Sequence, residues 1–323
     1  MNTSPTLGID MAAPTFVAAL WFDSHRVVKA QFANHGGGFR QLRTWLKRHG
    51  VGLLRVGIES TSTYAEALAQ WLHQAGHAVY LLNPARVAYY ARSIGQGNKT
   101  DPADASTIAA FVARHELTRW QPPAPEQKTL RSLTRVRAQL IDCRLQLSNQ
   151  LRTADPDAAP HLRAILRQVA AQLLALNRQI KAHVESVPQL ATQVRRLRTM
   201  KGIGLTTAAI IVAELPPITT DSDPRALCAW AGLVPRRWQS GKTEYPARLS
   251  RRGNCHLRQA LHMPALVAKR YNPLLRHFAQ RLSANGKSHG AVIGAVAHKM
   301  LLILIALLRS NSDFDPLRAQ KNT

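Results

Sequence analysis

The stretch LRVGIESTSTYAEALAQWLHQAGHAVYLLNP, residues 54–84, sets the architecture of the first third of the chain. Its apolar run Leu54–Ile58 predicts a buried strand, and residues 63–75 predict a helix. Ala78–Leu82 predict a second strand, which an Asn-Pro pair ends. A strand, a helix and a strand in succession predict two parallel strands joined by a crossover helix.

The sequence before this unit predicts further short elements. They are strands over residues 6–11, 16–22 and 26–32 and a helix over residues 38–49. Three strands followed by strand–helix–strand is the order expected of a ribonuclease-H-like domain, in which the first strand pairs with the fourth in the middle of a mixed sheet. We therefore expect an α/β domain over residues 1–122.

Four carboxylates stand out in this region. Asp10 ends the first strand and Glu59 ends the fourth, so parallel pairing would bring both to the same edge of the sheet. Asp101 and Asp104 are three residues apart, which puts them on one face of a helix. Such oxygen ligands suit Mg²⁺ or Mn²⁺ facing a phosphate. Singly, each acid is as well explained by a turn or a helix cap, and only their joint placement favours a metal site.

The charge of the chain predicts a polyanionic partner. There are 43 Lys and Arg against 18 Asp and Glu among 323 residues, a formal net charge of +25. Nucleic acid is favoured over an anionic membrane surface. The three cysteines are scattered without a CxxC pair, which argues against a disulfide framework and a structural zinc site.

One apolar segment, Ala291–Leu308, approaches the length of a membrane span. His298 and Lys299 interrupt it, so we expect a buried helix. The N-terminus shows no signal-peptide pattern, and a cytoplasmic location is expected.

Residues 123–198 change to a helical repeat of apolar side chains. Leucine, isoleucine and valine recur at spacings of three and four, once from Leu130 to Leu151 and again from Leu162 to Leu197. A turn-forming DPDAAP sequence separates the two runs. The pattern predicts two long antiparallel helices, a coiled-coil hairpin. This hairpin is either a spacer that packs on itself or a dimerisation element of a homodimer or tetramer.

Residues 199–323 are expected to form a mainly helical third domain. A Gly-Ile-Gly turn beside Lys201 resembles a helix-hairpin-helix element that holds phosphate, although a tight interhelical turn explains it too. Trp230 sits in an apolar run and is expected in the core, whereas Trp238 lies among basic residues and is a candidate for base stacking or minor-groove insertion. The basic residues expected to contact a nucleic-acid backbone are Arg86, Arg92, Lys99, Lys201, Arg236, Arg237, Lys242, Arg248, Arg251, Arg252 and Arg258.

Ser240 lies in a Gln-Ser-Gly-Lys loop flanked by arginines. Ser-Gly is an ordinary turn dipeptide, and a serine hydroxyl is a weak nucleophile until a base or a metal activates it. No histidine lies close in sequence. Attack by Ser240 would therefore depend on charge stabilisation by arginine and metal.

Several motifs occur in order along nearly the whole chain. They are GID at 8–10, IESTSTY at 58–64, NPARV at 83–87, NKTDPADA at 98–105, MKGIGLTTA at 200–208, DSDPRAL at 221–227, AWAGLVP at 229–235, QSGK at 239–242 and RRGNCHLRQAL at 251–261. In this set the chain resembles the DEDD transposases of the IS110 group of bacterial insertion sequences, relatives of Piv-type DNA invertases. The resemblance implies a RuvC-like domain, a coiled coil and a C-terminal transposase domain, in the order of the three segments above.

The resemblance also implies roles for individual residues. Asp10, Glu59, Asp101 and Asp104 match the family's metal-binding acids, and Ser240 matches the serine that attacks the DNA backbone and becomes linked to it. A structured bridge RNA that pairs with donor and target DNA is implied as a partner.

The residues alone leave two other functions open. One is a metal-dependent nuclease or junction resolvase in which Ser240 takes no part. The other is a non-catalytic nucleic-acid-binding protein whose acids cap helices.

Overall fold

A computed structural model describes residues 5–23, 26–59, 64–95, 101–220, 222–240, 243–250 and 253–315, with side chains except at 101–103, 236–240 and 243–248. The chain divides into two compact units, Met1–Pro122 and Pro123–Thr323. The first is a mixed sheet covered by helices, and the second is mainly helical. The predicted division of this second unit into a helical hairpin, residues 123–198, and a third domain, residues 199–323, stays a prediction.

The elements of the first unit follow the predicted order. They are β1 (Thr6–Met11), β2 (Thr15–Trp21), β3 (Val27–Ala33), α1 (Gly36–Arg48), β4 (Arg55–Glu59), α2 (Tyr64–Gln74), β5 (Ala78–Leu82), α3 (Pro84–Ser93) and α4 (Asp101–Arg114). Within the described residues they form a five-stranded sheet in the order β3-β2-β1-β4-β5. β1, β4 and β5 are parallel, and β2 and β3 add antiparallel strands. The predicted pairing of the first strand with the fourth is confirmed.

Helices cover both faces of this sheet. On one face, Leu7 and Ile9 of β1 share a core with Leu42 of α1 and Leu68 of α2. α4 packs on the other face, where Ile108 is completely buried. A central strand covered on both sides is hydrophobic along its length, as in β1 and β4.

The second unit opens with a long helical pair. Its elements are α5 (Pro125–Leu151), α6 (Ala159–Ser186), α7 (Pro188–Arg198), α8 (Leu205–Glu214), α9 (Pro224–Trp230), β6 (Pro235–Ser240), β7 (Thr243–Leu249), α10 (Cys255–Tyr271), α11 (Pro273–Ala284) and α12 (His289–Ser310). α5 and α6 are antiparallel. Near their base the carbonyl of Glu126 is 2.8 Å from the His183 ring, and farther along Arg137 donates to Asn177 at 2.7 Å.

The predicted second hairpin helix is shorter than its apolar pattern indicated. The pattern continues to Leu197, but α6 ends at Ser186 and α7 begins at Pro188. Proline lacks the amide that would continue the helix, and it holds Val187 in an extended conformation. Coiled-coil packing stays a prediction, and Leu174 on α6 is 58% exposed.

Among the described residues, α12 is the one helix long and apolar enough to cross a membrane. More than half of its apolar stretch is buried inside the unit. Val292, Val296 and Leu304 are completely buried in the same core as α8 and α10. The helix is therefore explained as the core helix of its unit, as the sequence predicted.

The segment around Ser240 is a β-hairpin, whereas the sequence was interpreted as a loop. Ser240 is the last residue of β6 and pairs with Thr243, the first residue of β7. A two-residue connection beginning with glycine is typical of tight hairpins. The sequence analysis missed both strands, and Gly241 and Lys242 between them lie outside the described residues.

Candidate active site

Asp10 and Glu59 lie side by side at one edge of the sheet. The parallel register of β1 and β4 pairs Gly8 with Gly57 and Ile9 with Ile58. Asp10 and Glu59 are the next residues on these two strands. Neighbouring strands are about 4.8 Å apart, so the two carboxylates project from adjacent positions.

The two carboxylates also share one face of the sheet. Side chains alternate along a strand, so Asp10 lies on the face of Gly8, and Glu59 on that of Gly57. Both glycines face α4: a Cβ on Gly8 would come within 2.1 Å of the carbonyl oxygen of Ala105, and one on Gly57 would clash with α4 side chains. Glycine at both positions lets α4 lie close to the strands that carry the acids.

The direction of β1 brings Asp10 to the N-terminal end of α4. The Thr6 hydroxyl donates to the carbonyl of Ala109 at 2.9 Å, and Gly8 touches Ala105. As residue numbers rise along β1, they therefore fall along α4. Asp10 is the next residue on this face and comes to the turn before Ala105.

That turn of α4 carries the other two predicted acids. Asp104 immediately precedes Ala105 and is half-buried, and Asp101 is the first residue of α4, with its side chain outside the described set. The fold thus brings Asp10, Glu59 and Asp104 to one region from three separate segments.

These acids fit a hard divalent cation by their chemistry. Carboxylate oxygens from several elements are the ligands that Mg²⁺ and Mn²⁺ take. Among the side chains that the structure describes, no three acids, histidines or cysteines are close enough together to hold an ion.

Ser240 lies at the tip of a hairpin whose base is anchored in the second unit. The Ser250 amide donates to Val234 at 3.0 Å, and the Asn254 amide donates to Trp230 at the same distance. Gly253 has φ +134°, and a Cβ there would be 2.0 Å from the Trp230 carbonyl oxygen. Only glycine fits this contact, which holds the chain just before α10 against the last residue of α9.

A buried carboxylate ties the same region to the helical pair. Glu214, the last residue of α8, has a side chain only 1% exposed. Arg135 of α5 donates to both of its oxygens, at 2.7 and 3.0 Å, and Asn254 donates at 2.8 Å. Asn254 also caps α10 by accepting from the Leu257 amide at 3.1 Å. Three segments distant in sequence therefore meet at one charge.

The pKa of Glu214 reflects these partners. Burial alone would raise the pKa, but hydrogen bonds from Arg135 and Asn254 and the charges of Arg135 and Arg131 hold it below its ordinary value. A depressed pKa in the folded protein stabilises it above the unfolded pKa, and this contribution is lost as pH falls through the folded pKa.

Replacing Glu214 with glutamine should destabilise the second unit. Glu214→Gln keeps the shape but leaves the Arg135 guanidinium without a counter-charge, and we expect the free energy of unfolding to fall by about 3 kcal/mol at neutral pH. Urea denaturation measures the difference. The stability difference should begin to shrink as pH falls below about 4.5, the ordinary pKa of the carboxyl, because the unfolded wild-type chain then takes up a proton while the folded carboxylate is still charged. It should be lost once pH passes below the lower pKa of folded Glu214.

Glu185→Gln is the control for this prediction. Glu185 is an exposed partner of Lys181 at 3.8 Å, and its loss should change stability by less than about 1 kcal/mol. Equal effects of the two substitutions, or a pH-independent difference for Glu214→Gln, would contradict the assigned role.

Of the predicted backbone-binding residues in the first unit, Arg86 and Arg92 are exposed on α3. The Arg86 guanidinium lies 5.6 Å from the Phe111 ring and that of Arg92 lies 6.0 Å from the Tyr89 ring. α3 contains no acid. Its exposed side therefore presents cations and an aromatic ring together, which suits a nucleic acid.

In the second unit, the predicted basic residues divide into three groups. Lys201 is exposed in the turn between α7 and α8, where Gly202 has φ +104°. Arg258 instead donates to the carbonyl of Ala231 at 3.0 Å, so part of its guanidinium serves the fold. Lys242, Arg251 and Arg252 lie outside the described residues, as do the side chains of Arg236, Arg237 and Arg248. Lys99, which belongs to the first unit, also lies outside the described residues.

Two features of this unit differ from the sequence prediction or were missed by it. Trp230 is 43% exposed, and its placement in the core was wrong. Cys228, two residues earlier, faces the core from α9. Because two residues turn a helix by more than half a turn, Trp230 then faces away from the core.

The hydrogen-bond network around Glu214 was missed by the sequence analysis. The only sequence signal for it is an isolated acid at the end of an apolar helix.

Comparison with known proteins places both units among transposases. Residues 7–154 match the DEDD transposases of the IS110 type, and residues 194–280 match the transposase family IS116/IS110/IS902.

Three relatives match over most of this chain. A pilin gene-inverting protein of Moraxella bovis is 31% identical over 96% of this chain and 97% of its own length. A probable family 20 transposase of Pseudomonas aeruginosa is 27% identical over 98% of this chain and 100% of its own length. The transposase for insertion sequence element IS1328 of Yersinia enterocolitica is 26% identical over 74% of this chain and 79% of its own length.

Proposed function

Since the chain belongs to the IS110 family of transposases, enzymes that cleave and transfer DNA strands, we propose that it inserts and excises an insertion sequence through a covalent link between DNA and Ser240. The observation that carries the proposal is the adjacency of Asp10 and Glu59 on parallel strands, on the face that α4 covers. Acids at the end of apolar strands oppose nucleic-acid binding unless a cation lies between them and the phosphate.

The carboxylate end of the first unit would bind the scissile phosphate. Asp10, Glu59, Asp101 and Asp104 would hold Mg²⁺ or Mn²⁺. The ion would polarise the phosphate and offset the charge that develops during attack. This region would then correspond to the catalytic edge of a RuvC-like domain, a finer assignment that the strand order supports.

Ser240 would supply the nucleophile. Its Oγ would form a bond to phosphorus while the bond to the 3′ oxygen breaks, and its proton would pass through solvent to the departing 3′ hydroxyl. The 5′ end would remain as a phosphoserine ester. A 3′ hydroxyl of another strand would then attack this ester and release the serine. Each step exchanges one phosphoester for another, so no nucleotide energy source is needed.

The same proposal includes the partners. The basic surfaces would contact donor and target DNA and a bridge RNA, and base pairing by the RNA would choose the sites. The sequence supports recognition of the sites by the RNA, because the chain is rich in arginine, which contacts phosphates, but has no strong motif for reading bases directly. We propose a cytoplasmic, nucleoid-associated homodimer or tetramer held by a coiled-coil hairpin of α5 and α6, with acids of one protomer serving the serine of another.

Denaturing gel electrophoresis tests the proposed reaction. With Mg²⁺ and labelled DNA carrying the element's ends, we expect a protein–DNA adduct that protease reduces to a short peptide–DNA species. Free ends without an adduct would favour the metal-dependent nuclease or junction resolvase. Intact DNA would favour a non-catalytic binding protein.

Sequencing the RNA that co-purifies with the protein tests the proposed bridge RNA. We expect one recurring RNA, and a random mixture of cellular RNA would contradict the proposal.

A further inference from the structure

The last three helices that the structure describes form a segment without acids. Residues 255–310, which span α10 to α12, contain eight Lys or Arg and no Asp or Glu. No salt bridge can form inside such a segment, so its cations need anionic partners from elsewhere. A polyanion satisfies several of them at once.

Two of these cations lie against one aromatic ring. The Lys299 ammonium is 4.6 Å and the Arg281 guanidinium carbon is 5.7 Å from the centroid of the Phe278 ring, so the two are at most about 10 Å apart. Leu274, His277, Phe278 and Arg281 line an open pocket of about 190 Å³, which is room for a phosphate group. Lys299 is not among these lining residues and adjoins the pocket through its contact with the Phe278 ring. Neither cation forms a salt bridge with another described residue.

Lys299 is difficult to explain by folding alone. It is half-buried midway along α12, otherwise a strongly apolar helix. Desolvation, and then the charge of Arg281, lower the pKa of its ammonium group. A charge in such a place costs stability unless it is paired. Arg281, by contrast, lies in the last turn of α11, where the helix dipole favours a cation.

We propose that Arg281 and Lys299, held against the Phe278 ring, form a pocket for one backbone phosphate of the DNA. A single phosphate between the two cations would offset their mutual repulsion, and the ring would keep both side chains in place. The inference rests on the chain acting on DNA. It does not depend on Ser240 or on the carboxylates, so DNA binding without cleavage can test it.

The test is the salt dependence of DNA binding, measured by fluorescence anisotropy with a labelled duplex of arbitrary sequence. Lys299→Met and Arg281→Gln should each weaken binding about tenfold at low salt. Each should make the slope of log K against log salt less negative by about 0.9, the loss of one phosphate contact. The double variant should lose no more slope than either single variant, because both cations share one phosphate. Additive slope losses would overturn the shared pocket, and unchanged slopes would overturn the contact.

Lys181→Met is the matched control for net charge. It removes one charge from the same unit at an exposed position paired with Glu185, and its slope should equal that of the wild type. If Lys181→Met changed the slope as much as Lys299→Met, the effect would come from net charge alone, and the proposed pocket would be overturned. Lys299→Arg keeps the charge and should keep the slope.

Two further readouts separate this pocket from a folding role and from RNA binding. The melting temperature of free Lys299→Met should not fall, because an unpaired half-buried charge is removed. A lower melting temperature with normal DNA binding by Arg281→Gln would assign the cluster to folding and overturn the proposal. A loss of affinity for duplex RNA alone would overturn the assignment to DNA.

Discussion

Replacing Ser240 with alanine is expected to abolish both strand exchange and the covalent adduct, with a loss of rate of at least about 10⁴-fold. The substitution removes the atom that would bond to phosphorus and would store the ester while strands are exchanged. Cys228 is no substitute, because burial and the nearby Asp223 raise the pKa of its thiol to about 12. Affinity for DNA should stay close to that of the wild type, since the alanine removes no charge.

Ser250→Ala is the control for this result. Ser250 follows β7 at the base of the same hairpin, and its amide rather than its hydroxyl makes the anchoring bond to Val234. We expect an adduct and strand exchange at wild-type levels. An adduct that persists in Ser240→Ala would move the attachment to another residue, and strand exchange without Ser240 would remove the covalent step altogether.

The strand order could be predicted because local patterns determine it. The apolar runs that end at Asp10 and Glu59 are short and bounded by turns, and a crossover helix between strands imposes parallel pairing. The sequence pattern alone therefore predicts that both acids lie at the same edge of the sheet. The role of Gly8 and Gly57 could not be predicted, because it depends on how closely α4, far along the chain, approaches the sheet.

The second unit was less predictable, because its site depends on long-range polar contacts. Glu214 meets Arg135 across 79 residues and Asn254 across 40, and no periodicity marks such a meeting. Pro188 alone predicts a helix boundary, but the apolar spacing of three and four continues past it and predicts one uninterrupted helix, so the end of α6 was missed. The hairpin of Ser240 was missed because its strands are rich in arginine and polar residues instead of alternating cleanly.

The second large effect is expected from Glu59→Gln, which keeps the size of the side chain and removes its charge. Strand exchange should fall by about 10³-fold or more, because a carboxylate ligand beside the phosphate is lost. Titration calorimetry with Mn²⁺ should show binding to the wild type and much weaker binding to the variant. A saturating ion should also raise the melting temperature of the wild type, since a ligand present at about 100 Kd adds about 2.7 kcal/mol to the stability of the folded state.

Glu116→Gln is the matched control for this substitution. Glu116 is an exposed acid of the same unit that follows α4, away from the end that carries Asp104. The same chemical change there should leave metal binding and strand exchange unaltered. If Glu59→Gln binds Mn²⁺ like the wild type and still exchanges strands, the adjacency of Asp10 and Glu59 has only a structural meaning.

Mixing the two inactive proteins shows which protomer supplies which part of the site. Glu59→Gln retains a working Ser240, and Ser240→Ala retains all four acids. If acids and serine act across protomers, a mixed oligomer contains some sites with both parts intact, and part of the cleavage activity should return. If each protomer uses its own acids and serine, every site in the mixture stays defective. In that case no adduct should form at any ratio of the two proteins.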